Sequence, residues 1–185
     1  EAMLRDLKAG VQGEHASNLG VLIAHDLVAD SGKPAFIVDP VVVDEVAERV
    51  KITGVKAIRR KVISHALNQI ATAHRYAREQ GTAYEALNLI VAHLGGGISI
   101  GAHAHGRCID TNNALDGEGP FTPQRSGSLP QRQFMDLCLS GRYTQGELKQ
   151  LIKGRGGLID LLGTADLREL ERRYLAGEAE VVSVL

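Results

Sequence analysis

Asn88-Leu-Ile-Val-Ala-His-Leu-Gly-Gly-Gly97, then Ile98-Ser-Ile-Gly-Ala-His-Ala-His-Gly-Arg-Cys-Ile-Asp-Thr111, then a Gly/Pro-rich loop carrying Arg125, is the stretch that decides the fold. An apolar strand breaks on three glycines, resumes as an alternating strand and turns back at His105-Gly106. Alternation of period two is the mark of a half-buried strand, and Gly-rich punctuation between two such runs is the mark of a hairpin. Glycines in series let backbone N–H groups approach an anion, because no Cβ intervenes. The triplet therefore reads as a phosphate cradle, and equally as a bulged turn. It fits neither nucleotide fingerprint: Gly101 falls one residue late for G-x-G-x-x-G, and the element that follows is a strand instead of a helix.

Outward from this core, strands are expected at Leu89–Leu94, Ile98–Ala102 and Arg107–Asp110, and a short buried strand at Ala35–Val38. Helical spacing covers 14–30, and a longer stripe over Lys56–Gln80 places His65 mid-helix. Val41–Val50 is ambiguous. Thr111–Pro130 reads as loop, and Phe134–Leu139 as a short helix. Thr144-x-x-Glu147 is a capping box. Leu158–Gly163 is an apolar turn, and Thr164 is expected to cap a helix ending at Ala176. Alternating strands and helices around a hairpin indicate an α/β fold, with a mixed sheet flanked by helices.

Composition excludes several classes. A net charge of -1 leaves no electrostatic footprint for nucleic acid or a membrane surface. No apolar run approaches a membrane span. Cys108 and Cys138 are too few for a disulfide framework and lack metal spacing, so reduced thiols in the cytoplasm are expected. The first residue is Glu1, and 177–185 read as the opening of an unfinished apolar element, so the chain is expected to be an internal fragment.

Several residues are chemical candidates. Arg125, in Pro120-Phe-Thr-Pro-Gln-Arg-Ser-Gly-Ser-Leu-Pro130, offers a planar donor fork on a proline-stiffened loop, suited to phosphate or carboxylate, or else is a solvated loop arginine. Asp39 follows the expected 35–38 strand and either reaches a site or makes a turn before Pro40. His93 stands just before the glycines, within reach of the same anion. His103 and His105 fall on one strand face and resemble a metal pair, but they flank a hairpin tip and no third ligand is apparent, so the bland reading is preferred. Asp110, Asp116 and Glu118 are placed to bind a cation, or else are solvated acids near a turn.

The joint pattern of His93-Leu-Gly-Gly-Gly-Ile-Ser-Ile-Gly101, Ile109-Asp-Thr-Asn-Asn-Ala-Leu-Asp-Gly-Glu-Gly-Pro-Phe121 and Arg125-Ser-Gly127 resembles the butyrate kinase branch of the acetate kinase family. Val11–Gly20, Phe36–Glu45 and Ser64–Gln69 agree with it. Acetate kinases carry Asn in place of Gly96 and a shorter loop before the Arg-Ser-Gly. The resemblance implies the duplicated ribonuclease H-like, actin-like fold (ASKHA) shared with sugar kinases and heat-shock chaperones, incomplete here at both ends. It implies that 1–40 end the N-terminal domain and that 41–185 form the greater part of the C-terminal one. It implies ATP-dependent phosphorylation of butyrate, or of a branched or other short-chain fatty acid, with Mg²⁺, in a cytoplasmic homo-oligomer. By position, His65 and Arg125 match the groups that meet the transferring phosphoryl, and Asp39 matches the aspartate near Mg²⁺. His93 with Gly95, Gly96 and Gly97 matches the second phosphate loop, and Gly157 and Asp160 match the segment near the adenosine. The family's first phosphate loop, a second substrate arginine, its C-terminal adenosine motif and a Mg²⁺-associated glutamate are not in this sequence. The isolated chain is therefore expected to be inactive.

Overall fold

A computed structural model describes residues 16–39 and 45–185, with the side chains of 16–18 excepted. Residues 14–15 of the expected helical stretch, and residues 41–44 of the ambiguous segment, lie outside the described residues.

The hairpin forms as its alternation requires. Strands β1 (Asn88–Leu94), β2 (Ile98–Ala104) and β3 (Arg107–Thr111) make an antiparallel sheet in sequence order. Leu94 pairs with Ile98 across Gly95–Gly97, and His93 pairs with Ser99. The β2–β3 turn uses left-handed backbone at His105 (φ 52°) and Gly106 (φ 76°), as a tight two-residue hairpin turn demands. A register shift between Ala102 and His103 bulges the second pairing. Both pairings are antiparallel. The short buried strand expected at Ala35–Val38 is not formed among the described residues: the segment makes no ladder, and Phe36 is 79% exposed.

Helix α1 spans Ala16–Val28. Helix α2 spans Ala66–Glu79, ten residues shorter at its start than the periodicity over Lys56–Gln80 predicts. Tertiary contacts override propensity there. Ile52 and Arg59 bridge antiparallel around Gly54, and Ile63 O accepts the Ala114 N–H at 2.9 Å, holding the approach to His65 extended. Helix α2 lies on the sheet face that carries Val91, and Ala73, Ala77, Tyr84 and Val91 form one core.

Helices α3 (Gln131–Leu139), α4 (Gln145–Ile152), α5 (Leu158–Leu162), α6 (Leu167–Leu175) and α7 (Ala179–Val184) follow. Thr144 and Glu147 close the expected capping box on α4. The cap of α6 is Asp166, not Thr164: the Asp166 side chain accepts from Arg168 N–H, while Thr164 Oγ1 accepts from Asp166 N–H. A second core joins Leu158, Leu162, Leu170 and Val181 from α5–α7. No helix among the described residues is long and apolar enough to cross a membrane.

Candidate phosphate site

The period of two puts Val91 and His93 of β1 on one sheet face with Ser99, Gly101 and His103 of β2. Helix α2 covers that face. His65 stands at its N-cap, with φ −82° and ψ 60°, and not in mid-helix. Its ring stacks on that of His93, with centroids 3.7 Å apart and planes 9° from parallel. His65 Nδ1 lies 2.9 Å from Ser99 Oγ, which also accepts the His65 backbone N–H at 3.2 Å.

The glycine triplet owes its composition to space rather than to backbone strain. None of Gly95, Gly96 and Gly97 has a left-handed φ. A Cβ on Gly97 would overlap the Arg125 guanidinium, and one on Gly95 would stand 3.3 Å from His93 Nε2. Arg125 and His93 thus flank a three-residue loop whose Cα ends are at most about 7 Å apart. Among the described residues, the three glycine N–H groups donate no hydrogen bond, whereas Gly96 O accepts the Thr122 hydroxyl at 2.8 Å. That leaves a run of amide donors beside a cation.

The Arg125 loop is pinned from several sides. Thr122 N–H donates to Arg125 O at 3.0 Å, Ser126 N–H to Ile152 O at 3.2 Å, and Leu158 N–H to Thr122 O at 3.0 Å. Gly157 (φ 84°) lies directly under it, where a Cβ would run into Thr122 O and the Arg125 backbone. The guanidinium donates from Nη1 to Ala114 O. Since Ala114 N–H donates to Ile63 O, one chain of bonds ties the Arg125 fork to the segment that delivers His65.

Arg60 offers a contrast. It donates to Asp110 at 2.7 Å and Glu118 at 2.5 Å, so its charge is neutralised in place. Arg125 makes no ion pair among the described residues, and burial pushes its pKa below the ordinary arginine value, against the opposing pull of Asp116. A half-buried guanidinium with spare donors is costly unless an anion completes it.

Of the remaining candidates, Asp160 is exposed on α5. Asp39 has a left-handed φ of 42° and makes no hydrogen bond or ion pair with His65, His93 or Arg125. His103 is buried and His105 exposed at the turn, and no three metal-ligating side chains converge among the described residues. Sequence reasoning missed Ser99 and Gln69. Both are fully buried polar side chains, Ser99 on β2 and Gln69 on α2.

The sequence model of the acetokinase family matches residues 37–184. A probable butyrate kinase of Listeria monocytogenes is 52% identical over 182 residues, which is 98% of this chain and 51% of that protein. Butyrate kinase 2 of Clostridium acetobutylicum is 53% identical over 178 residues, 96% of this chain and 50% of its own length. The chain thus spans about half the length of the curated relatives it matches. Among solved structures, Porphyromonas gingivalis acetate kinase superposes with a TM-score of 0.81 at 20% identity, over 98% of this chain and 48% of that one. A propionate kinase from Francisella tularensis gives 0.77 at 21%, over 98% and 49%.

Proposed function

The chain belongs to the acetokinase family, and on that premise we propose that the full-length protein phosphorylates butyrate with ATP, reversibly giving butyryl phosphate and ADP. The observation that carries the reading is the half-buried Arg125 fork, without an ion pair among the described residues, set against three glycine amides that donate no hydrogen bond among those residues. In-line phosphoryl transfer needs positioning and charge neutralisation more than covalent chemistry. The amides of Gly95–Gly97, with His93 beside them, hold the nucleotide's phosphates. Arg125 and His65 meet the charge that develops on the equatorial oxygens. Gly157 acts by supporting the Arg125 loop, and Asp160 stands at the edge nearest the nucleoside.

Among the described residues no three metal-ligating side chains converge. Mg²⁺ enters the reading as a partner of the nucleotide's phosphates, with Asp39 the one carboxylate assigned toward it, and no step above passes through the ion. Residues 1–40 are assigned to the end of an N-terminal domain and 41–185 to most of a C-terminal one. A cytoplasmic, self-associating enzyme fits the composition and the family. The isolated chain is assigned no turnover of its own.

The acyl chain remains the finer question, because one methylene in a pocket is worth only about 1–3 kcal/mol. Turnover by the full-length protein with ATP and acetate, propionate, butyrate or isobutyrate decides it. The highest kcat/KM with butyrate supports the proposal. A higher value for isobutyrate or propionate assigns a different short-chain acid, and no acyl phosphate from any of them defeats the kinase reading.

A further inference from the structure

A line of polar side chains runs under helix α2, buried throughout: Ser99 and Gln69 are 0% exposed, His103 2% and Tyr84 3%. Each contact in it has an assignable donor. Gln69 Nε2 lies 3.1 Å from the Ser99 main-chain oxygen and 2.8 Å from Ser99 Oγ. A main-chain oxygen only accepts, so the amide NH₂ must face it. Gln69 Oε1 then faces His103 Nε2 at 3.1 Å, which puts a proton on that nitrogen. Burial pushes the His103 pKa down and opposes a second proton. His103 Nδ1 is therefore bare and accepts the Tyr84 hydroxyl at 2.5 Å.

At the other end, Ser99 Oγ accepts from the His65 backbone N–H and from the Gln69 amide. Those two donors fill its lone pairs, so its own proton goes to the remaining neighbour, His65 Nδ1. A bare Nδ1 places the ring proton of neutral His65 on Nε2. Gly101 makes the arrangement possible, because a Cβ there would collide with Gln69 Oε1.

We propose that Ser99 and Gln69, braced by His103 and Tyr84, are positioning residues that hold His65 in the Nε2–H tautomer with its ring fixed against His93. A locked tautomer presents one donor of fixed direction, which pre-organises a site for an oxygen that gains charge. Only the kinetic consequence of this assignment rests on the proposed phosphoryl transfer; the tautomer does not.

The test is nitrogen-15 NMR of histidine-labelled full-length protein at neutral pH, with the His65 signals identified by their loss in His65→Asn. The assignment requires an unprotonated Nδ1 and a protonated Nε2. Ser99→Ala should blend the two tautomers and lower kcat by roughly 10–100-fold, the cost of removing a partner that orients a functional histidine. KM for nucleotide and carboxylate should stay within about threefold, since only transition-state positioning is lost. A protonated Nδ1 in the wild type overturns the proposal, even where Ser99→Ala fails to fold. So does a folded Ser99→Ala protein with an unchanged His65 spectrum and kcat. The assigned pattern in a protein that makes no acyl phosphate leaves the tautomer standing and removes the kinase reading.

Discussion

Replacing Gly97 by alanine puts the site's geometry under a one-carbon strain. The added Cβ would stand 3.0 Å from Arg125 Nη2 and overlap both Nη1 and Cζ. An ordinary carbon contact is about 3.5–4.0 Å, so the fork must retreat by about 1–2 Å. Misplacing a positioned catalytic group by about 1 Å costs about 10²-fold, so kcat should fall by that much. Complete removal of a phosphoryl-stabilising arginine, about 10³-fold or more, sets the ceiling. Stability should barely move. Gly97 has no left-handed φ to lose, and alanine at a compatible position gains about 0.4–1 kcal/mol from the unfolded state. That gain offsets the roughly 1 kcal/mol at stake in the Arg125–Ala114 hydrogen bond. The assay is hydroxylamine trapping of acyl phosphate by full-length Gly97→Ala, alongside urea melts. A kcat within threefold of wild type, with the fold intact, would refute the packing of Arg125 on the loop as the source of catalysis.

Two other perturbations address the scaffold. Leu170→Ala empties a fully buried position in the α5–α7 core and should cost about 2–5 kcal/mol in urea unfolding, with kcat below the melting range unchanged; a cost under 1 kcal/mol contradicts the packing. Alkaline stability should follow two buried acids: burial pushes Tyr84 up to about 12 and Cys108 up to about 11, from ordinary values of 10 and 9. Because both are raised in the folded state, their stabilisation is complete below pH 9 and is lost as pH rises through 11 and 12. Tyr84→Phe should flatten the fall in melting temperature above pH 10, and an unchanged slope counts against the buried phenol.

The hairpin was legible because its evidence is local. Alternation, the glycine break and His105-Gly106 each dictate geometry within a few residues, and β1–β3 formed within two residues of their expected ends. Helix α2 was misjudged at its start because the apolar stripe over Ile58, Val62 and Ile63 mimics a helix, while the segment is held by the Ile52–Arg59 bridge and by one bond from the distant Ala114 to Ile63. That error hid the position of His65, which is a cap beside Ser99 and not a mid-helix residue. The Ala35–Val38 run shows the complementary limit: apolar composition makes a strand only when a ladder partner is present. The meeting of Arg125 with Gly97 was anticipated as a shared anion site, but its physical form was not. A missing Cβ reads in sequence as backbone freedom, and only the structure shows that a guanidinium fills the space. Ser99 and Gln69 escaped notice because single polar residues in apolar runs carry no pattern of their own.

The central claim is that Arg125, at the glycine loop with His65 close by, stabilises a transferring phosphoryl group. Its most direct test is single-turnover acyl phosphate formation from ATP and butyrate by the full-length protein and its Arg125→Ala variant. The account predicts a loss of about 10³-fold or more with the fold retained. A variant that transfers the phosphoryl group within tenfold of the wild-type rate would contradict it.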